Sequence, residues 1–235
     1  PDAQALPQAF MERLQAYMLK AIREAKRHTS WLTPNERYEQ ATLNYVAEVL
    51  TGRPARRVVA ALTPLAARVA QHGVVNALAQ TALKLGAPGV PDTYQGTESW
   101  SLVLVDPDNR QPVDFDALAA LLRDVDGLGA DGEEIDEAQG TALLDAWQDG
   151  RVKMLVASRL LRARREHPWL WVQGAYLPLT VDVAVDASAV ASMREHDGMS
   201  AIVVAAVRTA RLGAHQWPIG GTWGPSRVLL PESFT

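Results

Sequence analysis

The sequence predicts an α+β chain, helical over its first two thirds and antiparallel β at its end. Three observations carry that expectation. Between Phe10 and Glu166 apolar residues recur in segments at three- and four-residue steps. From Trp169 onward they gather instead in short runs bounded by Gly, Pro and Asp. Proline and glycine stand between the apolar stretches of the helical part.

Phe10, Leu14, Tyr17, Met18, Ala21, Ile22 and Ala25 define the apolar side of a first helix, with Arg13, Lys20, Arg23, Glu24 and Arg27 opposite. Thr33-Pro34-Asn35-Glu36 matches a capping box with Pro at the first helical position, so a second helix is expected from there to about Leu50, before Gly52 and Pro54. Thr63-Pro64 is expected to break the next apolar stretch, leaving short helices from Pro64 to Gln71 and from Val74 to Leu85. Further helices are predicted at Asp114 to Arg123, Glu137 to Trp147 and Val152 to Glu166. The runs "LWV", "AYLPLTV", "AIVVAAV" and "RVLLP" read as strands, and a boundary is placed near Pro168. The spans are thus 1–88, helical; 89–168, a polar loop region with a final helix; and 169–235, β.

With 235 residues, 48% of them hydrophobic and 21% charged, the chain can bury a sizeable core. A net charge of -4 with scattered Lys and Arg gives no basic footprint, so nucleic acid is not an expected partner. No cysteine is present, which removes disulfides and thiolate metal sites and favours a cytoplasmic location. No window reaches the roughly 20 apolar residues that span a bilayer, so a membrane is not an expected partner either. The chain starts at Pro1 and not at Met, so it is expected to be part of something longer.

Chemistry-bearing motifs are few. Asp124 and Asp126 sit at the first and third positions of a calcium-loop spacing, but Leu128 and Ile135 occupy the fifth and twelfth, where oxygen ligands are needed. The acidic stretch "DGLGADGEE" is therefore read as a solvated turn. His28, His72, His167, His196 and His215 are far apart, and no pair has zinc-helix spacing. Nucleophile-elbow, phosphate-loop and dinucleotide fingerprints are absent, and no metal or cofactor is expected.

Two polar loops stand out: "GVPDTYQGTE" at 89–98 and "DPDNRQPVDF" at 106–115. Loops of this kind carry function more often than core segments do. The stretch Leu83 to Phe115 that contains both closely resembles the C-terminal part of the maltooligosyl trehalose synthases, in the α-amylase-type glycoside hydrolase superfamily (family 13). "RLQAYMLKAIREAKRHTSW" (Arg13 to Trp31) and "DGRVKMLVASRLLRARREHPWLWVQGAYLPL" (Asp149 to Leu179) are similar to the same family.

The resemblance implies that 89–98 is the last strand of a (β/α)₈ barrel with its substrate loop. It likewise implies that the helix before Pro168 is the final barrel helix, that a C-terminal β-sandwich follows, and that residues up to 88 are a helical insertion and barrel helix. The implied reaction is an isomerisation, a glucosyl transfer within one substrate. The reducing-end α-1,4 bond of a maltooligosaccharide becomes α,α-1,1, as in trehalose biosynthesis, with water kept from the released glucose. Retention of configuration requires a nucleophilic carboxylate and an acid/base carboxyl about 5 Å apart. The family's motifs for these groups, including one like "HDTKR", do not occur here. The chain is accordingly expected to hold no catalytic residue, to be inactive alone, and to have the N-terminal remainder of the enzyme and a maltooligosaccharide as partners.

The substrate-binding candidates are Tyr94, Gln95, Glu98, Asp108, Asn109, Arg110, Asp114, His28 and Trp31. Tyr94 offers a flat face and a hydroxyl to a sugar ring, or is a packed rim residue. Gln95 and Glu98 bond sugar hydroxyls or tie the loop down. Arg110 holds Asp108 or Asp114 in a bidentate pair that aims an oxygen at glucose, or forms a salt bridge internal to the loop. His28 and Trp31, in "HTSW" at a helix end, reach the same cavity or are structural. The other reading is an independent, non-catalytic glucan-binding or docking module.

Overall fold

A computed structural model describes residues 7–106, 108–128, 135–185, 187–213 and 216–231. His215 and most of the acidic turn lie outside them. The chain divides into two units: Pro1–Arg68 with Leu102–Pro112, and Val69–Ser101 with Val113–Thr235.

The first unit is built on α1 (Gln8–Ala25) and α2 (Glu36–Thr51), which pack against each other. α1 stops where Lys26 turns left-handed, at φ 53°. The start of α2 differs from the expected box at Thr33: Asn35 is the cap, its side chain accepting from the Tyr38 amide at 3.1 Å. Thr33 instead shares a hydrogen bond with Ser30.

α3 (Ala55–Gly86) begins in the first unit and ends in the second, unbroken through Pro64. Pro64 withholds the amide that would bond Ala60, but this turn is exposed, so water can take the freed carbonyl. Thr63 adds a side-chain bond to the Val59 carbonyl. The expected break is thereby corrected, and one long helix replaces the two short ones. An 18-residue window within α3 has a mean hydropathy of 1.3, so by length and composition alone the helix is long and apolar enough to cross a bilayer. Its C-terminal half also carries buried packing residues, Val74, Val75, Ala79, Leu85 and Gly86.

The second unit continues with α4 (Phe115–Asp126), α5 (Glu137–Asp145), α6 (Arg151–Glu166) and α7 (Pro168–Val172). Asp114 caps α4, and Asp136 with Gln139 forms a full capping box on α5. The run "LWV", expected as strand, is helical, because Pro168 presets the first turn and Trp171 anchors it by donating to the Ala163 carbonyl at 3.1 Å.

Four strands follow: β1 (Ala175–Asp182), β2 (Ser188–His196), β3 (Met199–Val207) and β4 (Arg227–Leu229). They form one antiparallel sheet in the order β3-β2-β1-β4. β1 pairs β2 through Leu179 and β4 from Thr180, so Pro178, which has no amide hydrogen, sits where only β2 is paired. β2 is absent from the strands that the sequence predicts. Its face carries Ser192 and Arg194, both buried, which hides the apolar alternation of Ala191 and Met193. The missed signal was Asp197-Gly198, at φ 49° and 79°, the two-residue turn that joins β2 to β3.

Two barrel-related expectations meet a different local structure. Residues 89–98 form no strand, and an extended segment without a neighbouring ladder is not a sheet. The described strands make one sheet where a sandwich needs two. Helices supply its packing layer: α7 lies against β2, and Gly86 of α3 sits so close to Val203 that an added Cβ would come within 2.6 Å.

Candidate functional site

The site in the second unit starts at the end of α3. Arg164 of α6 donates to the carbonyls of Leu85 at 2.7 Å and Ala87 at 3.2 Å, and also to that of Gly89. Beyond Gly89 the chain runs to Tyr94 and closes a turn in which the Tyr94 carbonyl accepts from the Thr97 amide at 3.2 Å and the Thr97 hydroxyl at 2.6 Å. Gly96 holds φ 80° there, against Val113.

Behind this turn lies a cavity of about 210 Å³, lined by Gln80, Thr81 and Lys84 of α3, Thr97 and Glu98 of the turn, and Lys153 of α6. Glu98 Oε2 is buried with no hydrogen-bond partner among the described residues. Lys153 donates to the Ser99 carbonyl at 2.9 Å, and its ammonium lies 5.5 Å from the Trp100 ring centroid. Burial holds the Lys153 pKa below the ordinary lysine value, the charge of Lys84 pushes it the same way, and Glu98 opposes both. Gly150 permits the close approach of this segment to α6: at φ 85°, an added Cβ would strike Ser99 Oγ at 2.0 Å. A carboxylate oxygen with free lone pairs beside hydroxyls and an ammonium can take a hydroxyl-bearing ligand. It does not by itself supply the carboxyl pair that a double displacement uses.

A different arrangement surrounds Asp108 in the first unit. Arg13 of α1 grips it bidentately, Nε to Oδ1 and Nη2 to Oδ2, both at 2.8 Å, and Nη2 also reaches the Leu102 carbonyl at 2.9 Å. The Leu104 amide and Gln111 add donors to the same carboxylate. Arg13, followed by the Leu104 amide, lowers the Asp108 pKa to about 2. A cavity of about 250 Å³ adjoins it, bordered by Tyr17 and Val105.

The predicted residues divide between the units. In the second, Tyr94 is 62% exposed, Gln95 is exposed, Glu98 faces the cavity, and Asp114 is occupied as a helix cap with Ala117. In the first, Asn109 is exposed, Arg110 pairs with Asp106, and Asp108 belongs to Arg13. The sequence-based pairing of Arg110 with Asp108 or Asp114 is thus corrected: Arg13 and the α4 cap claim those carboxylates. His28 stacks obliquely on Tyr38, rings 5.1 Å apart, and Trp31 lies under Arg23 while donating to Glu24. What fixes the "HTSW" turn is Thr29, which donates to buried Glu39 and accepts the Asn35 amide. Arg23 grips Glu39 at 2.9 and 2.7 Å and, with Thr29 next, lowers its pKa to about 2. Arg13, Glu39, Lys153 and Arg164 were missed, since an isolated charge on a helix face carries no sign of its distant partner. Among the described residues no group of three or more His, Asp or Glu lies together to hold a metal.

This chain is similar to maltooligosyl trehalose synthases. Two curated relatives of that name, from Mycobacterium tuberculosis strains CDC 1551 / Oshkosh and ATCC 25618 / H37Rv, are each 35% identical over 224 residues, 95% of this chain and 24% of theirs. The solved maltooligosyltrehalose synthase of Arthrobacter ramosus is 33% identical, with a TM-score of 0.60, over 86% of this chain and 29% of its own. A second solved maltooligosyl trehalose synthase, 24% identical, shares the fold at a TM-score of 0.66 over 87% of this chain and 31% of its own. No family model matches. The chain spans about a quarter of the length of the curated relatives it matches.

Proposed function

We propose that this chain is the C-terminal portion of a glucan-rearranging isomerase that turns the reducing-end α-1,4 bond of a maltooligosaccharide into an α,α-1,1 bond. The observation that carries the reading is the 35% identity across 95% of the chain, both polar loops included. In this reading residues 89–94 become the last barrel strand when neighbouring strands supply a ladder, and the turn at 95–98 becomes part of the pocket wall. Tyr94, exposed and flat, stacks on a glucose ring, and Gln95 bonds its hydroxyls. The nucleophile and acid/base come from the remainder of the polypeptide, and this portion helps to hold the released glucose and to exclude water. The lack of cysteine suits a reducing, cytoplasmic setting.

The test compares the natural polypeptide that carries these residues with residues 1–235 alone, each given maltopentaose. The longer protein is expected to consume reducing ends and form a glycosyl trehalose, seen by chromatography, while residues 1–235 leave the sugar unchanged. Glucan binding without any loss of reducing ends, by the longer protein, would establish the docking-module reading in its place.

A further inference from the structure

Arg164 and Arg194 are cations drawn into the protein, and among the described residues neither forms a salt bridge. Arg194, on β2, is 1% exposed and donates to the carbonyls of Leu170 at 3.3 Å and Trp171 at 2.9 Å. Arg164 lies 5.5 Å from the Trp171 ring centroid and spends its donors on the end of α3 and the chain just beyond. Burial lowers the pKa of both, and the charge of Arg194 lowers that of Arg164 further. A buried cation without an acid is costly unless its hydrogen bonds are satisfied, and here backbone carbonyls satisfy them. Carbonyls at a helix end also present the negative pole of the helix dipole.

We propose that Arg164 is a positioning residue that sets the direction of residues 87–98 as they leave α3, with Trp171 and Arg194 tying that setting to the sheet. A planar fork that engages Leu85, Ala87 and Gly89 together fixes the angle between the helix end and the outgoing loop. A lysine in its place keeps the charge but concentrates its donors at one point, so it cannot hold all three carbonyls. Tyr94, Gln95 and Glu98 hang on the segment so fixed. Its catalytic consequence rests on the function proposed above; its structural half does not.

Two readouts separate the halves, both on the natural polypeptide that contains these residues. Amide exchange is measured first, for Arg164→Lys and for Gly89→Ala. The second variant alters only the backbone at φ 81°, since an added Cβ meets nothing within 4 Å. In both, exchange at the amides of Ala87 and Thr97, which donate to the carbonyls of Lys84 and Tyr94, is expected to rise by roughly tenfold or more, with β2 and β3 unchanged. No local rise, or an equal rise throughout the second unit, overturns the positioning role. The second readout is maltopentaose turnover: Arg164→Lys is expected to lower kcat by about tenfold with KM nearly constant, and to raise the share of free glucose. A local rise in exchange with kcat and product ratio unchanged, in an active enzyme, overturns the catalytic consequence. A wild type that leaves maltopentaose untouched overturns the proposed function, while the exchange result still decides the positioning.

Discussion

The two units are held by different physics. In the first, the buried apolar residues among those described are Met11 and Val46, and the fixed points are two charged clamps, Arg13 on Asp108 and Arg23 on Glu39. In the second, Leu85, Val125, Leu143, Leu144, Met154, Trp171 and Met193 form buried apolar packing, and the buried Arg194 and half-buried Arg164 rest on carbonyls instead of carboxylates. The carboxylates repeat the contrast. Asp108 has its oxygens saturated by donors, whereas Glu98 keeps one buried oxygen without a partner. A saturated carboxylate fixes structure; a buried oxygen without a partner leaves hydrogen-bonding capacity unused, which calls for an explanation.

The largest effect that would sharpen this contrast comes from the second unit's packing. Leu85→Ala, at 1% exposure, should cost about 2–5 kcal/mol, read as a lower urea midpoint with faster exchange confined to that unit. Equal acceleration in α1 and α2 would break the comparison.

Acid should reverse the pattern. Glu39 and Asp108 titrate near 2 when folded, below their ordinary values of 4.5 and 3.8. Their stabilisation is therefore present above about pH 4 and drains away as the pH falls through 2. Between pH 5 and 2, circular dichroism and exchange should show α1 and α2 loosening first, and Glu39→Gln should flatten that dependence. If the second unit opens first, the charged clamps are not what holds the first.

A smaller effect is expected at Glu98. Glu98→Gln removes a buried charge whose Oε2 has no partner, so stability should change by less than about 1 kcal/mol, toward higher stability. In the active polypeptide the same change should raise KM for maltopentaose several-fold, because the amide offers a donor where a sugar hydroxyl needs an acceptor. A large loss of stability with KM unchanged would make Glu98 structural.

Arg110→Ala should do least. Its pairing with Asp106 is exposed, with 75% of the Arg110 side chain in solvent, and the melting curve should shift by no more than about 0.5 kcal/mol equivalent. A product ratio that moves toward free glucose would return Arg110 to the sugar site despite its exposure.

Much of the fold was legible in local signals. α1, α4, α5 and α6 follow from apolar spacing, whereas the caps at the starts of the last three, Asp114, Asp136 and Gly150, were seen only in the structure. Errors arose where a local rule met a tertiary fact. Pro64 is tolerated because its turn faces solvent, and "LWV" is helical because Trp171 and Arg194 hold it. β2 was hidden because its buried Arg194 has partners that lie far away in sequence. Tyr94, Gln95 and Glu98 were legible as a polar loop, but the buried oxygen that distinguishes Glu98 was not.

By itself, then, the sequence determined most of the helical segments, the change to antiparallel strands and the family likeness of its two loops, because periodicity and turn residues act over a few positions. Only the tertiary structure decided that Asp108 belongs to Arg13, that Glu98 keeps an unpartnered oxygen, and that Arg164 grips the carbonyls before the loop. Each of those outcomes depends on which distant groups meet in space, and on whether water or a carbonyl takes the remaining hydrogen bond.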